Sequence, residues 1–189
     1  MSDRLKISEY PDSLLFSISI RDTLSGSTGI FSKEFRLKNF YSHEVAISDI
    51  VLARRIDQPP GQLLFKRNEL GIYSNLDNRY FAGEPIWLYF EIYNLKRGPD
   101  SLTSYTVKRT IAERRSGNIL GSLRNALSGK NLHEVITTYN GGSIYTDENR
   151  ILMIEASQFD AGNYTVSIEI GDLMSGKSAK ASEDIVIYR

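Results

Sequence analysis

Residues 151–170 read ILMIEASQFDAGNYTVSIEI, and the fold turns on them. Leu152 and Ile154 alternate with polar neighbours, as do Tyr164, Val166, Ile168 and Ile170, which is the period-two pattern of strands with one buried face. Between the two runs, Asp160-Ala161-Gly162-Asn163 is a turn signal. The spacing Asp160-x-Gly162-x-Tyr164 is that of a tyrosine corner, in which the phenol hydroxyl bonds back to the backbone of the preceding crossover. An immunoglobulin domain would carry a cysteine two residues after the tyrosine, and here the residue is Val166. The chain has no cysteine at all, so packing alone must hold such a sandwich.

Upstream the same alternation recurs. Leu14, Phe16, Ile18 and Ile20 share one phase, and Ile86, Leu88, Phe90 and Ile92 another. Tyr105, Val107 and Ile111 share a third, interrupted by Arg109. Pro59-Pro60-Gly61, Arg97-Gly98-Pro99-Asp100 and Asn140-Gly141-Gly142 separate the runs; Asn140-Gly141 predicts a two-residue hairpin turn. The expectation is an all-β, immunoglobulin- or fibronectin-III-like antiparallel sandwich. One stretch departs from it. From Ser116 to Leu132 apolar residues recur at helical spacing, predicting a short helix or loop insertion.

The chain also repeats itself. Residues 15–37 align without a gap on residues 165–187, with Ser17, Ile18, Ile20, Asp22, Ser25, Gly26 and Ser32 identical to their counterparts 150 positions on. Each copy reads strand, Asp-x-x-Ser-Gly turn, strand. Repeats of this kind mark duplicated structural units. The organisation predicted is therefore a hairpin over 1–42, read as the tail of a preceding β domain, a strand and linker over 43–62, and a sandwich over 63–189.

The 189 residues carry 23 basic and 23 acidic side chains, a balance that excludes a bulk nucleic-acid binder. No apolar run nears the ~18 residues of a membrane helix. The opening MSDRLKISEYPD lacks the basic start and apolar stretch of a secretory signal. Charge is uneven locally. Residues 96–132 hold eight basic against two acidic side chains, a net of +6, and residues 133–189 four against nine, a net of −5. Opposite charges on adjacent strands are expected to neutralise each other.

Motifs for chemistry are few. GDLMSGKS, Gly171 to Ser178, satisfies the phosphate-loop pattern, but a helix and a parallel sheet must follow one. Here an alternating EDIVIY follows instead, and the other copy of the repeat reads RDTLSGST, so a hairpin turn is expected. His43 and His133 each precede a glutamate without the second histidine of a zinc-protease helix. No metal site, cofactor or catalytic residue is assigned, and the chain is read as no enzyme. On the reverse face of the Ile86–Ile92 strand, Trp87, Tyr89 and Tyr93 form an aromatic stripe that could bind a glycan if left uncovered.

Three segments carry a family resemblance: ISDIVLARRI (Ile47 to Ile56), FKRNELGIYSNLDNRYFAGEPIWLYFEIYNL (Phe65 to Leu95) and FDAGNYTVSIEIGDLMSGKSA (Phe159 to Ala179). Together they resemble the C-terminal β-sandwich region of bacterial GWxTD domain-containing proteins. The naming motif is absent, since the only tryptophan is Trp87. The resemblance implies a sandwich module of a larger bacterial protein, placed in the cell envelope or periplasm. It supplies architecture rather than activity. The functions expected are a non-catalytic interaction or scaffold role, through a protein partner or self-association at sheet edges, and as the alternative glycan binding at Trp87, Tyr89 and Tyr93.

Overall fold

A computed structural model describes residues 13–57, 65–67, 70–114 and 134–189. Strands are the dominant element of the described residues, with a single 3-10 turn at Ala156–Gln158, and these residues fall into two units, Met1–Tyr41 and Ser42–Arg189. No helix among them is long and apolar enough to cross a membrane. The insertion expected over Ser116–Leu132 lies outside the described residues, as does His133.

The first unit holds one antiparallel hairpin, β1 (Ser13–Arg21) and β2 (Thr28–Arg36). Its turn is built by Asp22, whose carboxylate accepts the Leu24 N–H at 2.9 Å and the Ser25 hydroxyl at 2.6 Å. Those bonds hold the Asp22 carboxyl below the usual carboxylate range. Gly26 takes the positive φ of 73° that closes the turn.

The second unit is a sandwich. One sheet has the order β10 (Val135–Ser143), β9 (Thr103–Glu113), β12 (Gly162–Asp172), β13 (Ser178–Tyr188) and β7 (Arg79–Phe81). The other runs β11 (Glu148–Glu155), β8 (Pro85–Tyr93), β4 (Val51–Asp57), β6 (Leu70–Ser74) and β5 (Phe65–Arg67), with β3 (Ala46–Ile47) also on β8. Apart from the parallel pair β7–β13, every pairing among the described residues of this unit is antiparallel.

The period-two pattern sorts side chains as expected. Ile86, Leu88, Phe90 and Ile92 of β8 face Tyr105, Val107 and Ile111 of β9 and the apolar face of β12–β13 in one core. Each such buried side chain contributes about 1.5–3 kcal/mol relative to its exposed state. Arg109 interrupts the phase on β9 without leaving its face. Its guanidinium links the two sheets, donating to the Met153 carbonyl of the other sheet at 3.1 Å and to Thr137 Oγ1 on the neighbouring strand β10 at 3.2 Å.

Two expectations need correction. The segment 43–62, taken as strand and linker outside a sandwich beginning at 63, contributes strands to the sandwich. β3 and β4 both pair with β8, and Val45, Ile47, Ile50, Leu52 and Ala53 are buried. Their apolar side chains recur too irregularly, across the break at Ser48–Asp49, to announce strands of one sheet. Second, Asn140-Gly141-Gly142 is no hairpin turn. It lies within β10, where Gly141 pairs with Tyr105 and Gly142 with Ser104.

Among the described residues, opposite charges do face each other across strands. Glu169 sits between Lys108 on β9 and Lys180 on β13, and Arg114 forms an ion pair with Asp184.

Candidate functional site

The corner closes as its spacing implies. β12 opens at Gly162, and the Tyr164 hydroxyl donates to the Asp160 carbonyl at 3.0 Å. The ring is buried, stacks edge-on against Phe159 with centroids 5.5 Å apart, and lies 3.4 Å from where a Cβ on Gly162 would stand. Burial pushes the Tyr164 phenol upward. The Asp160 carboxylate forms an exposed ion pair with Arg189 at 2.8 Å. Tyr164→Phe keeps the ring and removes the bond, so it is expected to cost about 1 kcal/mol. Urea denaturation checks this, and an unchanged midpoint would refute the structural role of the corner.

The phosphate-loop pattern is a hairpin turn. Gly171 and Asp172 end β12 and Ser178 begins the antiparallel β13, so no helix N-terminus is present to hold phosphate. Asp172 organises the turn through the Met174 N–H at 3.0 Å and the Ser175 hydroxyl at 2.6 Å. Lys177, the would-be phosphate ligand, is ion-paired with Glu44 and lowers that carboxyl. His43 lines an open groove of about 550 Å³ beside this turn, with Lys96, Thr146 and Lys177.

The aromatic stripe is not an open platform. Tyr89 is only 1% exposed and packs with Ala53, Leu70 and Ile72 in a second apolar cluster on the reverse face of the sheet, with Trp87 half-buried against it. The Tyr89 hydroxyl donates to Glu91 Oε1 at 2.6 Å, and Tyr93 donates to Oε2 of the same carboxylate. Glu91 is itself buried, and its backbone N–H donates to Ser48 Oγ at 2.9 Å. Alternation could not distinguish a solvent face from one covered by a second cluster, because β8 is buried on both sides.

A surface with binding geometry is the edge strand β10. Its inner side is firmly held. The Tyr105 ring covers Gly141, and the Tyr105 hydroxyl donates to Glu148 Oε2 at 2.6 Å while accepting from Arg150. Burial, with the Glu148 acceptor second, pushes the Tyr105 phenol far above its ordinary value. Tyr139 beside it is pushed up to about 12 by burial. Thr103 clips the end of β10, its hydroxyl donating to the Ser143 carbonyl at 3.0 Å and accepting the Ser143 N–H at 3.1 Å. Outward, Ile136, Thr138, Asn140 and Gly142 are exposed. β10 pairs with β9 on one side and ends the sheet on the other among the described residues. None of its nine residues, VITTYNGGS, is charged or proline. Native edge strands ordinarily carry such residues to block strand addition. The uncharged run was readable in the sequence, but Asn-Gly drew the reading toward a turn. Glu148 and Arg150 gave no signal, because pairing across the sandwich brings them to Tyr105 from more than forty positions away.

Neither the scan of protein-family models nor the search of curated proteins matches this chain.

Proposed function

We propose that this chain is a non-catalytic, immunoglobulin-like interaction module of a larger bacterial protein, and that it binds by strand addition at β10. The carrying observation is the uncharged, proline-free edge strand, pinned on its inner side by Tyr105 and Thr103 and exposed on its outer face. Strand addition takes affinity from main-chain hydrogen bonds and selectivity from alternate side chains, so the partner is an extended protein segment, which includes the same edge of a second copy. The turn geometry at Gly171–Ser178 supports the non-catalytic part of the reading, and the three segments similar to GWxTD domain-containing proteins support its bacterial setting.

The test is concentration-dependent light scattering on the full chain and on Ile136→Lys/Thr138→Lys. The wild type is expected to self-associate through paired edges, and the double variant to stay monomeric. Its stability should lie within about 0.5 kcal/mol of wild type, as both positions are exposed. A wild-type chain that is monomeric throughout, or an association indifferent to both lysines, overturns the reading.

A further inference from the structure

The 150-residue repeat holds at the level of atoms. Ser17 pairs with Ser32 as Ser167 pairs with Ser182, and each hydroxyl pair is 2.8 Å apart. The Gly26 N–H donates to the Asp22 carbonyl at 2.9 Å, and the Gly176 N–H to the Asp172 carbonyl at 2.8 Å. Ser25 and Ser175 each accept the amide two residues on at 3.3 Å, and the glycine φ angles are 73° and 70°. The two hairpins are one structural unit used twice.

They differ in what covers them. In β12–β13 the face bearing Tyr164, Val166, Ile168, Ile170, Ala181 and Ile185 is buried against the opposing sheet. The same positions in β1–β2 are Leu14, Phe16, Ile18, Ile20, Phe31 and Phe35, and of these Phe16 is 39% and Ile18 43% exposed. The opposite, serine-bearing face is exposed in both copies. β12 also lies between β13 and a further strand, β9, whereas β1 pairs only with β2 among the described residues. Moreover, Asp172 Oδ2 accepts the Lys96 N–H at 3.1 Å, and the Leu173 N–H donates to the Ser104 carbonyl at 2.9 Å, bonds that tie the turn to the rest of its sandwich. A lone two-stranded hairpin is marginal in water, and this one presents aromatic side chains on the face its twin buries.

We propose that β1–β2 is the closing hairpin of a second sandwich, and that its apolar face docks on the inner sheet of a repeat of residues 42–162 preceding it in the same polypeptide. Within residues 42–189 the equivalent place is filled by β12–β13. The acceptor offers a strand like β9 to the edge of β1, an apolar sheet like β8–β4 to Phe16 and Ile18, and a loop amide like that of Lys96 to Asp22.

The experiment places residues 42–162 directly ahead of residue 13 of the chain, which preserves the 150-residue spacing, and follows hydrogen exchange. Peptides from 13–37 are expected to gain about 100-fold protection over the unextended chain, approaching the level of 163–187. Ile18→Asp in the extended chain should remove that gain and leave 163–187 unchanged. Because Phe16 and Phe31 are larger than Val166 and Ala181, a second extended chain carries Phe16→Val and Phe31→Ala. Protection of 13–37 in either extended chain supports the proposal; its absence in both overturns it. A hairpin already protected in the unextended chain, within a dimer that Ile18→Asp dissociates, also overturns it, because the occupant is then a second copy.

Discussion

Asp172→Ala should lower the stability of the sandwich by about 3 kcal/mol, while the same change at Asp22 leaves it unaltered. The two aspartates occupy equivalent places in equivalent turns, and their local bonds agree within 0.1 Å. Their surroundings separate them. Asp172 is 2% exposed, and its loss removes three part-buried bonds, from the amides of Met174 and Lys96 and from the Ser175 hydroxyl, where the bonds of Asp22 are exposed. A buried donor left without a partner costs roughly 1–3 kcal/mol, whereas one near solvent finds water instead. Asp22 is exposed, and its turn belongs to the other unit. For a unit of this length the difference corresponds to a fall in melting temperature of about 10 °C for Asp172→Ala. Calorimetry on both variants decides the matter; equal effects would mean that the turn itself, and not its burial, supplies the stability.

Gly141→Ala should be nearly as costly, at about 3 kcal/mol, in a strand position where alanine is ordinarily harmless or better. A Cβ there would fall 2.4 and 2.5 Å from two carbons of the Tyr105 ring and 2.7 Å from its hydroxyl oxygen, inside any real contact distance. The ring cannot step aside, because it is fully buried and its hydroxyl is held by Glu148 and Arg150. Gly83→Ala is the control: its nearest neighbours would be Phe81 ring carbons at 3.7 and 3.8 Å, an ordinary contact, so it should be close to neutral. Pairing Gly141→Ala with Tyr105→Leu should recover part of the loss, and a double-mutant cycle measures the coupling. Full additivity of the two changes would show that the ring is not what excludes a side chain at 141.

These two cases also mark where sequence reading succeeds and where it stops. Alternation located β1, β8, β9, β12 and β13, because one buried face forces a period of two on any strand. The corner at Asp160–Tyr164 was legible because its spacing is local, four residues closed by one hydrogen bond. The repeat likewise identified Gly171–Ser178 as a turn against a motif pointing to phosphate. Asn140-Gly141-Gly142 misled because a glycine selected by a neighbouring ring and a glycine selected by a turn look alike in one dimension. The strand expected in 43–62 was left outside the sandwich for a related reason: β3 and β4 join it by pairing with β8, some forty residues away, and short strands take their place from such neighbours. Tyr89 and Glu91 show the same limit, since a strand buried on both faces has no polar side left to announce its orientation.

The double burial of β8 has a consequence for how the chain is made. PIWLYFEIY is rich in β-branched and aromatic residues, and Glu91 is its only charge, the composition of segments that stack into cross-β aggregates when left bare. Its partner β4 is synthesised earlier, but β11, which covers its other edge, lies more than fifty residues downstream. During synthesis this strand therefore waits with one edge open, and within it Pro85 at its start and Glu91 are the residues that oppose stacking. That carboxylate, which the folded protein buries between two phenols, guards the nascent chain before it serves the native one.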